Sequence, residues 1–313
     1  MKWKIISILL FLSFGFNLFF VYKIFIKRDA GQLGNVTPSY RLTNPLAKNF
    51  VDSDISEQPV ILHYVELKPK IESEIQKFKA EKNIGIFLQD IQTGAWVGIN
   101  EKEGFVPASL LKVPIAMAVL KKVNRDEIKL TDVVELTKDD LDSQAGSLYQ
   151  KGAGTKLTVW EAVKIMILTS DNTAKNVLKR QLSGAELNAI FAHVGIPNPY
   201  QPQNGQVVTP RGYSRIFKAL YFSTFLSADL SEKLLDLATD TQMENLISAG
   251  VPSEIQVSHK YGERPDGLSD CGIIYNPKNP YFLCTMTKGL NLPQAKELIV
   301  NLSRIIYGYV ENK

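Results

Sequence analysis

Histidine and cysteine are scarce in this sequence, with three histidines and two cysteines among 313 residues. The histidines are dispersed and both cysteines fall in strand-like stretches, so these residues form no cluster with the spacing of a metal site. We therefore expect neither a metal ion nor an organic cofactor. No cysteine precedes Cys271, which argues against a lipid-modified N-terminus.

Long runs of charge of one sign are also absent. The net charge is +4, and neither a lysine–arginine run nor a stripe of aromatic and basic residues indicates nucleic acid as a partner. There is no internal repeat and no low-complexity tract. The proportions of 45% hydrophobic and 22% charged residues are typical of a globular chain with one sizeable core or two lobes. We expect a monomer.

The first 28 residues depart from this globular pattern. Lys2 and Lys4 precede an uncharged, mostly apolar run, Ile5 to Tyr22, which at 18 residues is long enough to cross a bilayer as a helix. The following residues, VYKIFIKRD, lack the small side chains that a signal-peptide cleavage site requires. An uncleaved membrane anchor over residues 1–28 is therefore favoured over a cleaved signal peptide or a buried helix. Positive charge at both ends leaves its orientation open.

Residues 29–66 have the composition of a stem. The segment is polar and is interrupted by glycine and proline, at Gly31, Gly34, Pro38, Pro45 and Pro59. An apolar stretch near its end, PVILHYVEL, can add a strand either to the stem or to the following domain. His63 within it is interpreted as structural.

The remaining chain, residues 67–313, is predicted to fold as one catalytic domain. A helix near Lys68 to Lys82 precedes two strands, NIGIFLQDI and GAWVGIN. From Ser109 to about Leu246, apolar residues recur at three- and four-residue spacing, which predicts helices. Strands return after Pro252, and a last amphipathic helix follows over Pro293 to Tyr307.

This order predicts an α/β fold of the α+β type. The three C-terminal strands are EIQVSHKYG, DCGIIYN and YFLCTMTKG. The simplest assembly is an antiparallel sheet built from both chain ends and flanked by helices, with an all-helical lobe inserted at about residues 123–250.

Ser109 and Lys112 lie three residues apart at the start of an otherwise apolar helix, in FVPASLLKVPIAMAVL. A hydroxyl is a poor nucleophile until a base takes its proton, and this spacing puts the Lys112 amine beside it. Apolar neighbours would desolvate the amine and lower its pKa toward that of a base near neutral pH. The positive end of the helix dipole would favour negative charge at Ser109. A serine three residues before a lysine also occurs by chance, so this motif alone is not decisive.

Two further motifs follow in order: SDN at Ser170 to Asn172, ending an apolar helical run, and KYG at Lys260 to Gly262, inside a strand. S-x-x-K, S-D-N and K-T-G, in this order, form the signature of serine β-lactamases and penicillin-binding proteins. The chain resembles that superfamily, and most strongly its class A β-lactamase branch, from about Lys68 to the C-terminus. Successive blocks of that branch resemble FVPASLLKVPIAMAVL, LTVWEAVKIMILTSDNTAKNVLKR, VVTPRGYSRIFKALYFSTFLS and NLISAGVPSEIQVSHKYG.

The resemblance implies a set of catalytic roles. Ser109 would be the acylated nucleophile, with Lys112 as its base or proton relay. Ser170 would pass the proton to the leaving nitrogen. Asn172 would bind the substrate's side-chain amide and Lys112, and Lys260 would supply positive charge near Ser170 and the substrate carboxylate.

Backbone groups and three further residues complete the implied site. The N–H groups of Ser109 and Glu263 would form the oxyanion hole. Tyr261, Gly262 and Arg264 complete the substrate-binding set, although Tyr261 replaces the small hydroxyl residue of relatives and would narrow the cleft. Arg264 has an equally good interpretation as a structural or solvated residue.

Structural roles are the alternatives for single residues of the set. Ser170 also fits a polar helix end, Asn172 a helix cap and Lys260 a solvated strand lysine. Taken together with Ser109 and Lys112, these residues favour the catalytic interpretation.

One family feature is missing from the sequence. Class A enzymes carry a loop glutamate, within E-x-x-L-N, that activates water to release the acyl group. The corresponding stretch here is VGIPNPYQPQNGQVVTP, and no acidic residue occurs between Leu187 and Ala228. Glu186 belongs to a helical pattern and is interpreted as a solvated helix residue, and His193 as a core or surface histidine. Deacylation is therefore expected to be slow unless another group or an amine acceptor takes over.

Cys271 and Cys284 fall opposite each other if NPKNPY turns between their strands. Two small buried residues in a sheet is the favoured interpretation, and a cross-strand disulfide is the alternative, since disulfide geometry is strict. Oxidation would require a location outside the cytoplasm.

Three functions follow from the resemblance and the missing loop glutamate. The first is a membrane-tethered serine hydrolase of class A β-lactamase type that acts on β-lactam amides. The second is a peptidoglycan enzyme that cleaves or exchanges D-alanyl-D-alanine peptides and is trapped by penicillin. The third is a binding module on a catalytically retired fold. Both enzyme substrates lie outside the cytoplasm, so we expect a single-pass membrane protein with its catalytic domain facing outward.

Overall fold

The computed structural model describes residues 41–44, 64–241 and 246–312. The chain divides into two units, residues 1–41 and residues 42–313, and every helix and strand named below belongs to the second. The predicted membrane anchor and most of the predicted stem lie outside the described residues. Within the described ranges, no helix combines the length and the apolar character that crossing a bilayer requires.

A five-stranded antiparallel sheet forms the centre of this unit, in the order β2-β1-β7-β6-β5. Its strands come from both ends of the domain, as predicted: β1 Ile84–Asp90, β2 Trp96–Ile99, β5 Val257–Arg264, β6 Gly267–Ile274 and β7 Tyr281–Thr287. β1 pairs with β7, and this pairing joins the N-terminal hairpin to the three C-terminal strands. β5 is left at one edge of the sheet.

Two hydrophobic cores lie on opposite faces of the sheet. Alternate residues of β7 belong to different cores: Phe282 and Cys284 pack in the first core, whereas Tyr281 and Leu283 pack in the second. The second core is closed by α1 (Leu67–Lys77) and by the C-terminal helix α8 (Leu292–Glu311). Because both faces are covered, β6 and β7 are buried along their whole length.

The first core joins the sheet to the inserted helical lobe. The helices between β2 and β5 are α2 Lys112–Asn124, α3 Val159–Leu168, α4 Asn172–Arg180, α5 Gly184–His193, α6 Pro210–Tyr221 and α7 Ala228–Leu237. α2 is the central helix, with every residue buried from Lys112 to Leu120. α6 packs against β1, β6 and β7. The mixed fold with an antiparallel sheet and flanking helices is therefore confirmed.

Several local features differ from the sequence-based expectations. A two-stranded sheet, β3 (Val133–Glu135) with β4 (Lys156–Thr158), lies within the lobe that was expected to be all helical. The first helix ends at Lys77, short of the predicted Lys82. Stem residues 42–44 contact the catalytic domain, where Leu42 is buried and its carbonyl accepts a hydrogen bond from the Tyr275 hydroxyl.

Cys271 and Cys284 form a disulfide bond, which corrects the favoured interpretation of two separate buried thiols. The strand register is the reason, because it places the two residues directly opposite each other on β6 and β7. Both cysteines are fully buried in the first core. Cys271 is also the register partner of Lys260, so the disulfide lies beside the strand that carries the KYG motif.

Candidate active site

The predicted nucleophile lies in a short 3-10 turn and not in the α-helix itself. The turn spans Ala108–Leu111, and α2 begins only at Lys112. Residues three apart eclipse each other in 3-10 geometry, which brings Ser109 directly against Lys112. Ala108 has a left-handed backbone with φ of 48°, and the buried Tyr213 hydroxyl donates to the Leu110 carbonyl over 2.7 Å. The turn is thus held in place from α6.

The Lys112 amine connects the first two motifs of the signature. Its Nζ lies 2.7 Å from Ser109 Oγ, 3.3 Å from Ser170 Oγ and 2.9 Å from Asn172 Oδ1. Ser170 and Asn172 lie about sixty residues further along the chain, so this convergence arises only in the tertiary structure. One amine therefore contacts all three polar side chains that the resemblance assigns to acylation.

Burial lowers the pKa of Lys112. The side chain is 2% exposed, and this desolvation, together with the nearby charge of Lys175, lowers its pKa to about 8. Two carboxylates, Asp171 and Asp142, act in the opposite direction. With a pKa of about 8, a minor fraction of the amine is neutral at pH 7 and about half at pH 8, and the neutral form is the one that a general base requires.

Ser170 occupies the junction between α3 and α4 in a left-handed conformation, with φ of 55°. The next residue fixes this junction, because Asp171 accepts hydrogen bonds from the backbone N–H groups of Ala174 and Leu148. Asp171 is thus the N-cap of α4, and Asn172 is its first helical residue. Gly146 packs so closely on Asp171 that a Cβ there would lie 2.0 Å from the carboxylate. The strained serine is held by its neighbours, a feature that clusters at functional sites.

Lys260 is completely buried, which rules out the interpretation as a solvated strand lysine. Burial and the nearby charge of Lys112 lower its pKa to about 7, against the opposing effect of Asp270. Its Nζ lies 3.3 Å from the Tyr261 carbonyl oxygen and 4.0 Å from the Tyr261 ring centroid. The third motif therefore contributes a second buried amine, electrostatically coupled to the first.

The backbone of β5 runs alongside the nucleophile turn. A Cβ on Gly262 would lie 2.6 Å from the Pro107 carbonyl oxygen and 3.2 Å from the Ser109 nitrogen. Only a residue without a side chain permits this approach. Glu263, the next residue of β5, has an exposed side chain.

Tyr261 and Arg264 differ in their relation to the cleft. The Tyr261 phenol is partly buried; burial raises its pKa, and a hydrogen bond with Ser170 acts in the opposite direction. The ring therefore reaches the predicted site. Arg264 donates from Nε to Asp266 over 3.1 Å across the β5–β6 turn, and none of the contacts found in the described ranges joins it to Ser109. The ion pair with Asp266 agrees with the interpretation of Arg264 as a structural residue.

The segment that replaces the glutamate-bearing loop is held by amide side chains. Asn198 accepts from the Tyr200 N–H over 2.9 Å, and Asn204 donates to the Asn198 carbonyl over 2.8 Å. The Glu186 carboxylate accepts from the N–H of Ser183, the N-cap of α5, and pairs with Lys122. His193 is exposed and contacts Thr224. His193 is therefore a surface histidine, one of the two settings expected for it, whereas Glu186 is only partly exposed and not the solvated residue that was expected.

Comparison with known proteins identifies the family. The model of the β-lactamase enzyme family matches residues 66–310. The chain belongs to the β-lactamase enzyme family. A β-lactamase of Bacillus subtilis (strain 168) is 27% identical over 86% of this chain and 90% of its own length. A β-lactamase of Bacillus licheniformis is 26% identical over 72% of this chain and 78% of its own length.

Solved structures of family members and penicillin-binding relatives share the fold. PBP-A is 26% identical, with a TM-score of 0.72, over 79% of this chain and 97% of its own. A point mutant of PBP-A, solved as an acyl-enzyme complex with penicillin G, is 25% identical with a TM-score of 0.71 over 79% of this chain and 98% of its own. This placement confirms membership of the serine β-lactamase and penicillin-binding protein superfamily.

Two charged residues of this β-lactamase-family site were missed in the sequence. Asp142 lies 30 positions before Asn172, and its Oδ1 accepts from Asn172 Nδ2 over 3.2 Å. Lys175 lies one helical turn after Asn172 and its charge acts on Lys112. The helical spacing could have revealed Lys175. No sequence pattern marks Asp142, because a loop of the lobe brings it to the site.

Proposed function

We propose that this protein is a serine acyl-enzyme hydrolase that opens β-lactam amides by acylation of Ser109. The observation that carries the proposal is the placement of Lys112 Nζ 2.7 Å from Ser109 Oγ, with Ser170 and Asn172 on the same amine. A buried amine with a depressed pKa beside a hydroxyl is the arrangement that activates a serine nucleophile.

The acylation step follows from this arrangement. Neutral Lys112 takes the proton of Ser109 as its oxygen attacks the β-lactam carbonyl carbon, and the backbone N–H groups of Ser109 and Glu263 stabilise the resulting oxyanion. The C–N bond then breaks, and the proton passes from Lys112 through Ser170 to the leaving nitrogen. Protonated Lys260 attracts the substrate carboxylate.

A second candidate is the processing of D-alanyl-D-alanine peptides, with β-lactams acting as slowly released inhibitors. One observation favours it: the segment from Leu187 to Ala228 has no acidic residue to activate water. Its asparagines are engaged with one another and with backbone groups. An acyl-enzyme that forms readily and hydrolyses slowly is the expected behaviour.

Of the three functions considered, a catalytically retired binding module agrees least with the site. Lys112 and Lys260 are 2% and 0% exposed, and neither has a carboxylate in hydrogen-bond contact among the residues described. Burying an amine that has no carboxylate to balance its charge is unfavourable. Their retention is explained by a function that uses them.

We also propose that the catalytic domain faces outward from a membrane to which residues 1–28 tether it. The apolar run of 18 residues after Lys4 supports the tether. The disulfide between Cys271 and Cys284 supports an oxidising location. Both candidate substrate classes would be met there.

A labelled-penicillin pulse and chase tests these functions on the wild type and on Ser109→Ala. We expect covalent label on the wild type only. Loss of label within seconds, with hydrolysed drug accumulating, identifies a working β-lactamase. Label that persists for many minutes identifies the penicillin-trapped, peptide-processing enzyme. Absence of label, under conditions where a control penicillin-binding protein reacts, would overturn the acyl-enzyme proposal.

A further inference from the structure

The carboxylate of Asp142 ends a hydrogen-bonded chain that begins at the nucleophile. Asp142 Oδ1 accepts from Asn172 Nδ2 over 3.2 Å, Asn172 Oδ1 lies 2.9 Å from Lys112 Nζ, and Lys112 Nζ lies 2.7 Å from Ser109 Oγ. Asp142 is itself fixed, because the same Oδ1 accepts from the Gln144 N–H over 2.8 Å and its own N–H donates to Thr173 over 3.0 Å. This chain is not part of the sequence signature.

The direction of the Asn172 amide decides whether Lys112 can act as a base. A neutral lysine amine has two N–H donors and one lone pair. Its geometry here lets the donors serve Asn172 Oδ1 and Ser170 Oγ, which leaves the lone pair for the Ser109 proton. If the amide turned over, Asn172 Nδ2 would donate to that lone pair and compete with Ser109.

An ionised carboxylate accepts hydrogen bonds and donates none. Asp142 therefore pairs only with the Nδ2 end of the Asn172 amide, which leaves Oδ1 for Lys112. We propose that Asp142 is a positioning residue for acylation, which holds the Asn172 amide in the orientation that keeps the Lys112 lone pair free for Ser109. This inference rests on the proposed acyl-enzyme function.

The negative charge of Asp142 has a second, measurable effect, on the pKa of Lys112. The titratable groups around Lys112 come from three parts of the fold, and they are Asp142, Asp171, Lys175, Lys260 and Tyr261. Among them Asp142 favours the protonated amine, whereas Lys175 disfavours it. Removing the Asp142 charge therefore moves the acidic limb of the acylation profile to lower pH, and removing the Lys175 charge moves it to higher pH.

The test compares Asp142→Ala with Asp142→Asn in stopped-flow acylation by a chromogenic β-lactam. Asp142→Ala, which has no acceptor, should acylate roughly tenfold more slowly, the effect of one orienting hydrogen bond. Asp142→Asn keeps an acceptor oxygen, which the Gln144 N–H still directs toward Asn172. This variant should retain a maximal rate within about twofold of wild type, with its acidic limb at lower pH. Lys175→Gln should shift that limb the other way. Asp139→Ala, on the same loop but exposed, is the matched control and should change neither quantity.

Two measurements separate positioning from damage to the fold or failure of the function. The stoichiometry of label per protein reports the folded fraction and should stay at the wild-type value, so that only the rate constant falls. The Asn172 side-chain amide signal in NMR, assigned by its loss in Asn172→Ala, should be sharp in wild type and Asp142→Asn and broadened in Asp142→Ala.

An Asp142→Ala variant with the wild-type rate and amide signal would overturn the positioning role. Equal slowing in Asp142→Asn and Asp142→Ala would also overturn it, because the acceptor would then not matter. If the wild type takes no label, the acyl-enzyme function fails, and the amide signal still decides whether Asp142 orients Asn172.

Discussion

Lys112 and Lys260 are both buried, and the roles proposed for their amines require opposite protonation states. Burial lowers the pKa of Lys112 to about 8 and that of Lys260 to about 7. In the proposed acylation, Lys112 acts as a neutral base and Lys260 as a cation. Because the charge on each amine disfavours the charge on the other, they titrate as a pair, and the measured pKa values belong to the pair.

The acylation rate constant should therefore follow a bell-shaped pH profile. The rate rises with pH as Lys112 loses its proton and falls as Lys260 loses its charge, so the maximum is expected between about pH 7 and pH 8. Lys260→Arg keeps the cation, because a guanidinium does not deprotonate in this range. In that variant the alkaline limb should disappear and the rate should reach a plateau, measured by stopped flow.

Lys68→Arg is the control for this profile, since Lys68 is an exposed residue of α1. It should reproduce the wild-type bell. If the alkaline limb persists in Lys260→Arg, another group governs it and Lys260 is not the required cation.

At the scale of elements, the site depends on how closely β5 approaches the 3-10 turn that carries Ser109. The close packing of Gly262 against Pro107 and Ser109 brings together two backbones that belong to distant parts of the chain. Their N–H groups are the proposed oxyanion hole, so the spacing of the two elements is a catalytic parameter.

Gly262→Ala should slow acylation roughly a hundredfold without unfolding the protein, since a misplacement of about 1 Å in a catalytic constellation has an effect of that size. The added Cβ would lie 2.6 Å from a backbone oxygen, so the strand must move away from the turn. The variant is checked by stopped-flow acylation and by circular dichroism of the folded state.

Gly308→Ala provides the matched control for Gly262→Ala. Gly308 lies within α8, where an added Cβ meets nothing within 4 Å. We expect an unchanged acylation rate and a gain of about 0.5–1 kcal/mol in the free energy of unfolding. Wild-type acylation by Gly262→Ala would contradict the proposed role of the β5 approach.

Across the whole molecule, one sheet supports two cores, and the disulfide joins β6 to β7 within the first core. Cys271 lies on β6 beside Lys260 of β5, and Cys284 lies on β7. The bond closes a short loop with a sequence separation of 13 residues. Its contribution is therefore expected in stability, because it restricts the unfolded chain.

The double variant Cys271→Ala with Cys284→Ala should lower the free energy of unfolding by roughly 3 kcal/mol. Its acylation rate constant at 25 °C should remain near the wild-type value, because the β5–β6 ladder still positions Lys260. Urea unfolding and stopped-flow acylation measure the two effects. When reductant is present during unfolding, the wild type also loses the bond, so its free energy of unfolding should approach that of the double variant. An undiminished difference between the two proteins would mean that side-chain packing and not the bond is responsible.

Most of the architecture and the acylation signature could be predicted from the sequence. Short apolar stretches bounded by turn residues predicted the five strands of the sheet, and three- to four-residue periodicity predicted the helices, since both patterns are local consequences of backbone geometry. The sequence also marked four site residues, because the spacing and order of motifs are visible along the chain: Ser109, Lys112, Ser170 and Lys260.

The contacts between distant residues could not be predicted in this way. The Asp142 carboxylate, the approach of Gly262 and the bond between Cys271 and Cys284 all depend on contacts between segments that are separated along the chain. Burial of both lysines likewise depends on how the lobe closes over the sheet. Periodicity reports the face on which a residue lies, whereas packing sets distances and desolvation, and these control the pKa values on which the proposed chemistry depends.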